Sequence, residues 1–252
     1  MKRKIKWGII STAKIAETDL IPAIKKSKNS ELVAVASRNK DKAAKFAKKN
    51  KIKKFYDSYK KICEDKDIDI IYNPLPNHLH VNSTVNAIKN DKHVLLEKPI
   101  TLKSEEVKII AQAAKKNKKI VKEAFMVRHH PQWQWVKKYI DSNKIGKVNG
   151  ITTLFSYKNL DPKNIRNIKR YGGGGLYDIG CYAIVISRYL LNKEPKKVIC
   201  EANFDKKFKT DNLTSAILDF NGVYSNFIIS TCSTVSQQVL ILGSKKTICI
   251  EN

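Results

Sequence analysis

Cysteine is scarce and scattered in this chain. The five present (Cys63, Cys181, Cys200, Cys232, Cys249) are odd in number and form no CxxC pair, so neither a disulfide framework nor a zinc site is expected, and a reducing cytoplasm fits best. Long apolar runs are missing too. The stretch from Ile5 to Ile10 contains Lys6, and the longest later one, Ala183 to Leu191, carries Arg188, so no segment suits a bilayer. Met1-Lys2-Arg3-Lys4 resembles the basic start of a signal peptide, but Lys6 and Lys14 break up the apolar stretch beyond it, and it reads as the approach to a first strand. Acidic residues are few, 23 against 49 basic ones, for a formal charge of +26. Arginine is rarer still: only Arg3, Arg38, Arg128, Arg166, Arg170 and Arg188 break the lysine background. The lysines spread along expected helices such as 40–54 and 103–119, which is the pattern of a solvated surface. No nucleic acid or membrane partner is expected; polyanion binding, the alternative, would show as a steep salt dependence of DNA affinity.

A length of 252 residues with 42% hydrophobic content allows one large or two modest globular domains. From Lys4 to about Ile120, short β-rich runs alternate with lysine- and alanine-rich helical stretches, the pattern of an α/β Rossmann unit with a doubly wound parallel sheet. Its clearest strands are 5–10, 32–36, 68–73 and 94–97, with 120–121 a fifth, and helices are expected at 40–49 and 82–89. After Glu123 the rhythm changes. Helices at 131–141 and 176–191 flank strand-like runs at 148–157, 197–204, 215–220, 225–231, 239–242 and 247–250, an α+β unit with a mostly antiparallel sheet. The expected domains are therefore 1–123 and 124–252.

Five segments carry chemistry. The first strand ends in Gly8-Ile9-Ile10-Ser11-Thr12-Ala13-Lys14-Ile15-Ala16, where small residues let backbone amides approach a pyrophosphate, although Ser11 and Ala13 stand where a dinucleotide fingerprint has glycine. The second strand ends in Ser37-Arg38-Asn39 in place of a ribose-binding acid; an arginine pairs with a 2′-phosphate, so NADP(H) is preferred, with NAD(H) the alternative. The loop Asn73-Pro74-Leu75-Pro76-Asn77-His78-Leu79-His80 follows the third major strand, stiffened by two prolines; Asn77 or Asn82 as a helix cap, and either histidine as a structural one, are the plain alternatives. The run His93-Val94-Leu95-Leu96 delivers Glu97-Lys98-Pro99 to the same sheet edge, where Lys98 either meets a ligand or pairs with Glu97 or Glu123. Further on, Gly172-Gly173-Gly174-Gly175 leads to Asp178 and Tyr182, one helical turn apart and on one face.

These segments resemble, in order and over nearly the whole chain, the Gfo/Idh/MocA oxidoreductases, with Glu123-Ala124-Phe125-Met126, Arg128 and His130-Pro131 completing the pattern. The residues look closest to the branch holding dihydrodiol dehydrogenases, NADP-dependent xylose dehydrogenases and glucose-fructose oxidoreductase. The resemblance implies a nicotinamide-dependent enzyme that moves a hydride to or from a C–OH/C=O centre of a sugar, polyol or cyclic diol. It makes Lys98, Asp178 and Tyr182 the catalytic candidates. Around the cofactor it points to Gly8, Ser11, Thr12, Ala13, Ile15, Ser37, Arg38, Asn73, Pro74, Leu75, Asn77, His78, Glu97, Lys98, Glu123 and Arg128. It also implies a homodimer or homotetramer joined through the second-domain sheet, and a chain continuing several dozen residues past the Gly243-Ser244-Lys245-Lys246 turn, so the C-terminal domain reads as short. A catalytically silent NADP(H)- or sugar-sensing protein, or an inactive homologue, is the alternative.

Overall fold

The computed structural model describes residues 3–251, which fall into two compact units divided between Ala124 and Phe125. The first unit is a six-stranded parallel sheet in the order β3-β2-β1-β4-β5-β6, built from β1 (Ile5–Ile10), β2 (Ser30–Ala36), β3 (Lys54–Tyr56), β4 (Ile70–Asn73), β5 (His93–Leu96) and β6 (Val121–Glu123). Alternate side chains of one strand serve opposite faces. Ile9, Val35 and Tyr72 pack with Ala16, Ile21 and Ala47 on one side. Ile10, Ala34, Ala36 and Ile71 pack with Ile62, Ile88 and Ile110 on the other. The helices α1 (Ile21–Lys26) and α2 (Lys40–Asn50) thus cover one face, and α3 (Tyr59–Glu64), α4 (His80–Lys89) and α5 (Ser104–Lys116) the other. Strand order reverses between β1 and β4, so a crevice for a ligand lies outside their carboxyl ends.

Local chemistry explains the element ends. Asn39 accepts the Lys42 N–H at 2.8 Å and starts α2, and Lys51 in the left-handed region (φ 58°) stops it. Pro22 lacks an N–H, and the chain before it adopts a wide π turn over Ala16–Leu20 that runs directly into α1. Asn82 lies inside α4 and does not cap it. The strand β3 and helix α3 went unassigned in the sequence: a three-residue edge strand, Lys54-Phe55-Tyr56, is too short to show a period.

The second unit packs α6 (Pro131–Asp141) and α7 (Cys181–Leu191) on a six-stranded mixed sheet. Its strands β7 (Val148–Lys158), β8 (Lys197–Phe204), β9 (Asp211–Asp219), β10 (Tyr224–Ser230), β11 (Cys232–Gly243) and β12 (Thr247–Glu251) lie in the order β12-β11-β7-β10-β9-β8. Only the β7–β10 pair is parallel. Phe227, Ile229, Ile151, Ile241 and Phe220 fill the core against Trp133, Val136, Ile186 and Leu190. The opposite face carries Ile199, Ile217, Tyr224, Ile228 and Leu242, each more than 40% exposed. Among the described residues no helix is long and apolar enough to cross a membrane, and all five cysteines are free thiols.

Candidate active site

At the crevice of the first unit, the turn after β1 holds Ser11 at φ 148°, a backbone conformation that glycine adopts freely and L residues rarely do. The fingerprint glycine is absent, but its geometry is kept. Thr12, Ala13 and Ile15 continue the chain into the wide turn. Gly8 is spent inwards: a Cβ there would sit 2.9 Å from Ile68 and 3.0 Å from Ile71, so this glycine permits strand–core packing. At the end of β2, Ser37 is buried and its hydroxyl accepts the Asn39 N–H, while Arg38 is exposed and has no partner among the described residues.

The loop after β4 is tied down by its own side chains. Asn73 is fully buried, donates to Ser83 and Thr84 at 2.8 and 3.1 Å, and accepts the Leu75 N–H. Pro74 and Leu75 are buried beside it; Asn77 opens a short 3₁₀ turn over Asn77–Leu79, with His78 exposed on it. His80 is buried with its ring nitrogens 2.8 Å from the carbonyls of Leu75 and Pro99, bridging this loop to the Lys98 segment. Two carboxylates shape that segment. Tyr72 donates to Glu97 at 2.7 Å, and Glu123 accepts the Ile100 N–H at 2.7 Å. Lys98, half-buried, lies between them in sequence, at a cis Lys98-Pro99 bond.

In the second unit, Asp178 sits on a second wide turn, Leu176–Gly180, that runs into α7, and Tyr182 is the second residue of that helix. Such turns concentrate at functional sites. The turn is capped from a distant strand: Asp211 accepts the Leu176 N–H at 2.6 Å and the Thr214 hydroxyl at 3.0 Å. The glycine run makes room within the unit. A Cβ on Gly173 would lie 2.3 Å from the Arg166 carbonyl oxygen, on Gly174 2.0 Å from the Asp211 carboxylate, and on Gly175 2.7 Å from Ile229. Asp178 is gripped on both oxygens, by Arg166 Nε at 2.7 Å and by the Tyr157 hydroxyl at 2.5 Å. Burial, then the Asp178 charge and hydrogen bond, push the Tyr157 phenol well above its ordinary range. For Arg166 burial works against the charge, but Asp178 outweighs it and the guanidinium is held more firmly protonated than usual. Tyr182 meets the edge of Phe125 with ring centroids 5.5 Å apart. Beside it opens a cleft of about 560 Å³ lined by Met126, Trp133, Thr153, Phe155 and Gln238 among others. Arg128 lies over the Tyr189 ring of α7 at 5.8 Å.

Residues 5–125 match the family model described as "Oxidoreductase family, NAD-binding Rossmann fold", and residues 133–249 match the GFO/IDH/MocA C-terminal domain. The chain belongs to the Gfo/Idh/MocA oxidoreductases. Within this family it is 39% identical over 249 residues to an uncharacterized oxidoreductase, ORF334, of Rhizobium meliloti, covering 98% of this chain and 75% of that one. It is 32% identical over 252 residues to the trans-1,2-dihydrobenzene-1,2-diol dehydrogenase of Xenopus laevis, covering 97% and 74%. Among solved structures, the 3-ketoreductase KijD10 of Actinomadura kijaniata, in complex with NADP and TDP-benzene, superimposes with a TM-score of 0.93 at 26% identity, covering 99% of this chain and 77% of that one. The chain thus spans about three quarters of the length of these relatives.

Tyr157, Arg166 and Asp211 were not anticipated. Their signal was faint: Arg166 is one of six arginines in a lysine-rich chain and stands seven residues before the glycine whose missing Cβ it fills.

Proposed function

We propose that this Gfo/Idh/MocA oxidoreductase uses NADP(H) and acts on a secondary alcohol, or the matching carbonyl, of a sugar, polyol or cyclic diol. The residues fit the cofactor. The glycine-type backbone at Ser11 suits a pyrophosphate against small residues, and the exposed Arg38 at the end of β2 offers a cation where NAD-selective relatives of the fold need a carboxylate. Ser11, Thr12, Ala13 and Ile15 would hold the pyrophosphate, Ser37 and Arg38 the adenosine side, and the 73–78 loop with Glu97, Lys98, Glu123 and Arg128 the remainder. When bound, the nicotinamide supplies or accepts the hydride.

The chain's own residues handle orientation and the proton. Lys98 donates to the substrate oxygen as a carbonyl is reduced and takes its proton back in oxidation. In the second unit, Tyr182 is the proton donor to the substrate; a phenol of high reference pKa suits reduction. Asp178 accepts a hydrogen bond from a neighbouring substrate hydroxyl and fixes the carbon that reacts. The observation that carries this reading is the junction of the Leu176–Gly180 turn with α7, where an ion-paired carboxylate stands four residues before a half-buried phenol that lines an open cleft. The sugar- and diol-acting relatives support the substrate class. A cytoplasmic setting accords with the free thiols. The exposed apolar sheet face is the surface through which a homodimer or homotetramer forms.

Thermal unfolding with NADPH and NADH, followed by turnover at 340 nm on a panel of aldoses, polyols and cyclic diols, tests the reading. The expected result is stabilisation by NADPH above NADH, turnover on one substrate class, and loss of turnover in Lys98→Ala with the NADPH shift retained. No stabilisation by either nucleotide overturns it, and stabilisation without turnover turns it into the silent sensor.

A further inference from the structure

Asp178 is fastened from three directions. Its Oδ1 takes the Arg166 Nε from the turn Ile165–Asn167, its Oδ2 takes the Tyr157 hydroxyl from β7, and its own N–H donates to the Gly174 carbonyl at 3.0 Å. The Gly174 N–H in turn donates to the Arg166 carbonyl at 2.9 Å, so the backbone that carries the arginine is stitched to the turn that carries the aspartate. Gly173 makes that stitch sterically possible, because any Cβ would strike the Arg166 carbonyl. The Asp178 side chain is 11% exposed and that of Arg166 45%, so the carboxylate is the more deeply set partner of the pair.

We propose that Arg166 and Tyr157 are positioning residues of this site, which hold Asp178 as a fixed carboxylate that orients the substrate and carries no proton through the reaction. This rests on the function proposed above. A carboxylate with a guanidinium on one oxygen and a phenol on the other has no reason to take up a proton. Proton handling then stays with Lys98 and Tyr182. An arginine is required rather than a lysine: only a planar guanidinium can give Nε to Asp178 while leaving further N–H donors on the same rigid plane. The charged groups facing Tyr157 are Asp178 and Arg166, and they pull in opposite directions, the carboxylate prevailing.

The test uses the full chain with NADPH and four variants, Arg166→Ala, Arg166→Lys, Tyr157→Phe and Asp178→Asn. Loss of a hydrogen bond to the carboxylate is expected to lower kcat about tenfold or more in Arg166→Ala and several-fold in Tyr157→Phe, with the NADPH-induced stabilisation unchanged. Arg166→Lys is expected to recover little. Millimolar guanidinium is expected to restore part of the Arg166→Ala rate and none of the Lys98→Ala rate, which a merely structural arginine would not produce. A second readout needs no turnover: ¹³Cζ-tyrosine NMR, with Tyr157 identified by its loss in Tyr157→Phe. The Tyr157 phenol should stay protonated where exposed tyrosines ionise, and fall back towards their range in Asp178→Asn. If the NMR result holds and no substrate turns over, the clamp stands and the proposed function falls. The clamp is overturned if Tyr157 titrates like an exposed tyrosine in the wild type, or if an active enzyme keeps its kcat in both Arg166→Ala and Tyr157→Phe.

Discussion

Replacing Arg38 by alanine separates recognition of the cofactor's 2′-phosphate from everything else in the first unit. The side chain is exposed and forms no hydrogen bond or ion pair with the described residues, so the free protein should lose no more than about 0.5 kcal/mol. A charge-assisted hydrogen bond to phosphate contributes about 1.5–3 kcal/mol when shielded, and exposure at the end of β2 places Arg38 at the low end, about 1.5 kcal/mol or roughly a tenfold loss in NADPH affinity. At a fixed NADPH concentration of 100 times the wild-type Kd, stabilisation of the folded state is about 2.7 kcal/mol; a tenfold weaker Kd leaves about 1.4 kcal/mol. The thermal shift should therefore halve, while the NADH shift stays where it was. The 2′-phosphate sheds its second proton near pH 6, so the wild-type preference for NADPH should narrow as pH falls below about 6, and the variant should show no such trend. Calorimetric titration of both nucleotides gives the same comparison directly. Equal weakening of NADPH and NADH, or an unchanged NADPH affinity, would refute the argument.

Four further outcomes rest on particular contacts. Ser11→Gly should raise the stability of the first unit by about 1 kcal/mol, since about 1–3 kcal/mol of strain at φ 148° is relieved against about 0.5–1 kcal/mol of added chain entropy; an unchanged or lower Tm contradicts this. Gly173→Ala puts a methyl 2.3 Å from a backbone oxygen and should cost about 2–3 kcal/mol in the second unit by urea denaturation, with kcat falling as Arg166 is displaced. The Asp65 carboxyl is held below its ordinary range: burial alone would raise it, but the Asp67 N–H, Tyr56 and Lys54 outweigh burial. Its stabilising contribution is thus present above the unfolded value of about 3.9 and is lost as pH falls through the lower folded value. Asp65→Asn should cost about 1–3 kcal/mol at pH 7, with the gap to wild type closing below about pH 3.9. Ile217→Glu with Ile228→Lys, on the outer sheet face, should leave a monomer by light scattering if the assembly forms there; an oligomer that survives both charges rules that face out.

The parts of the fold legible in the sequence were those with a long enough period. β1, β8 and α6 begin and end where the apolar pattern does, because each spans six or more residues of unbroken pattern. β11 begins at Cys232, seven residues before the apolar run that marks it, because its first half, Cys232-Ser233-Thr234-Val235-Ser236-Gln237-Gln238, is polar and mostly exposed. Its pairing with β7, not its composition, makes it a strand. The same limit hid β3, whose three residues carry a lysine and join the sheet only at its edge.

The glycine run shows where reading by residue type reaches its end. Four consecutive glycines announce that the chain must come close to something, and the sequence suggests a substrate. Within the second unit the close approaches are internal: Gly173 meets the Arg166 backbone, Gly174 the Asp211 carboxylate, Gly175 the Ile229 side chain. These contacts cap the wide turn and deliver a guanidinium to Asp178. A carboxylate on the turn leading into a helix can orient a substrate only if it is itself held, and the groups that hold it come from β7, 21 residues away, and from the Ile165–Asn167 turn, 12 residues away. No spacing rule links such positions. What the sequence does carry is the requirement for them: a buried charge needs a partner, and in a chain where lysine outnumbers arginine so heavily, the two arginines before the glycine run, Arg166 and Arg170, are the residues to examine for that partner.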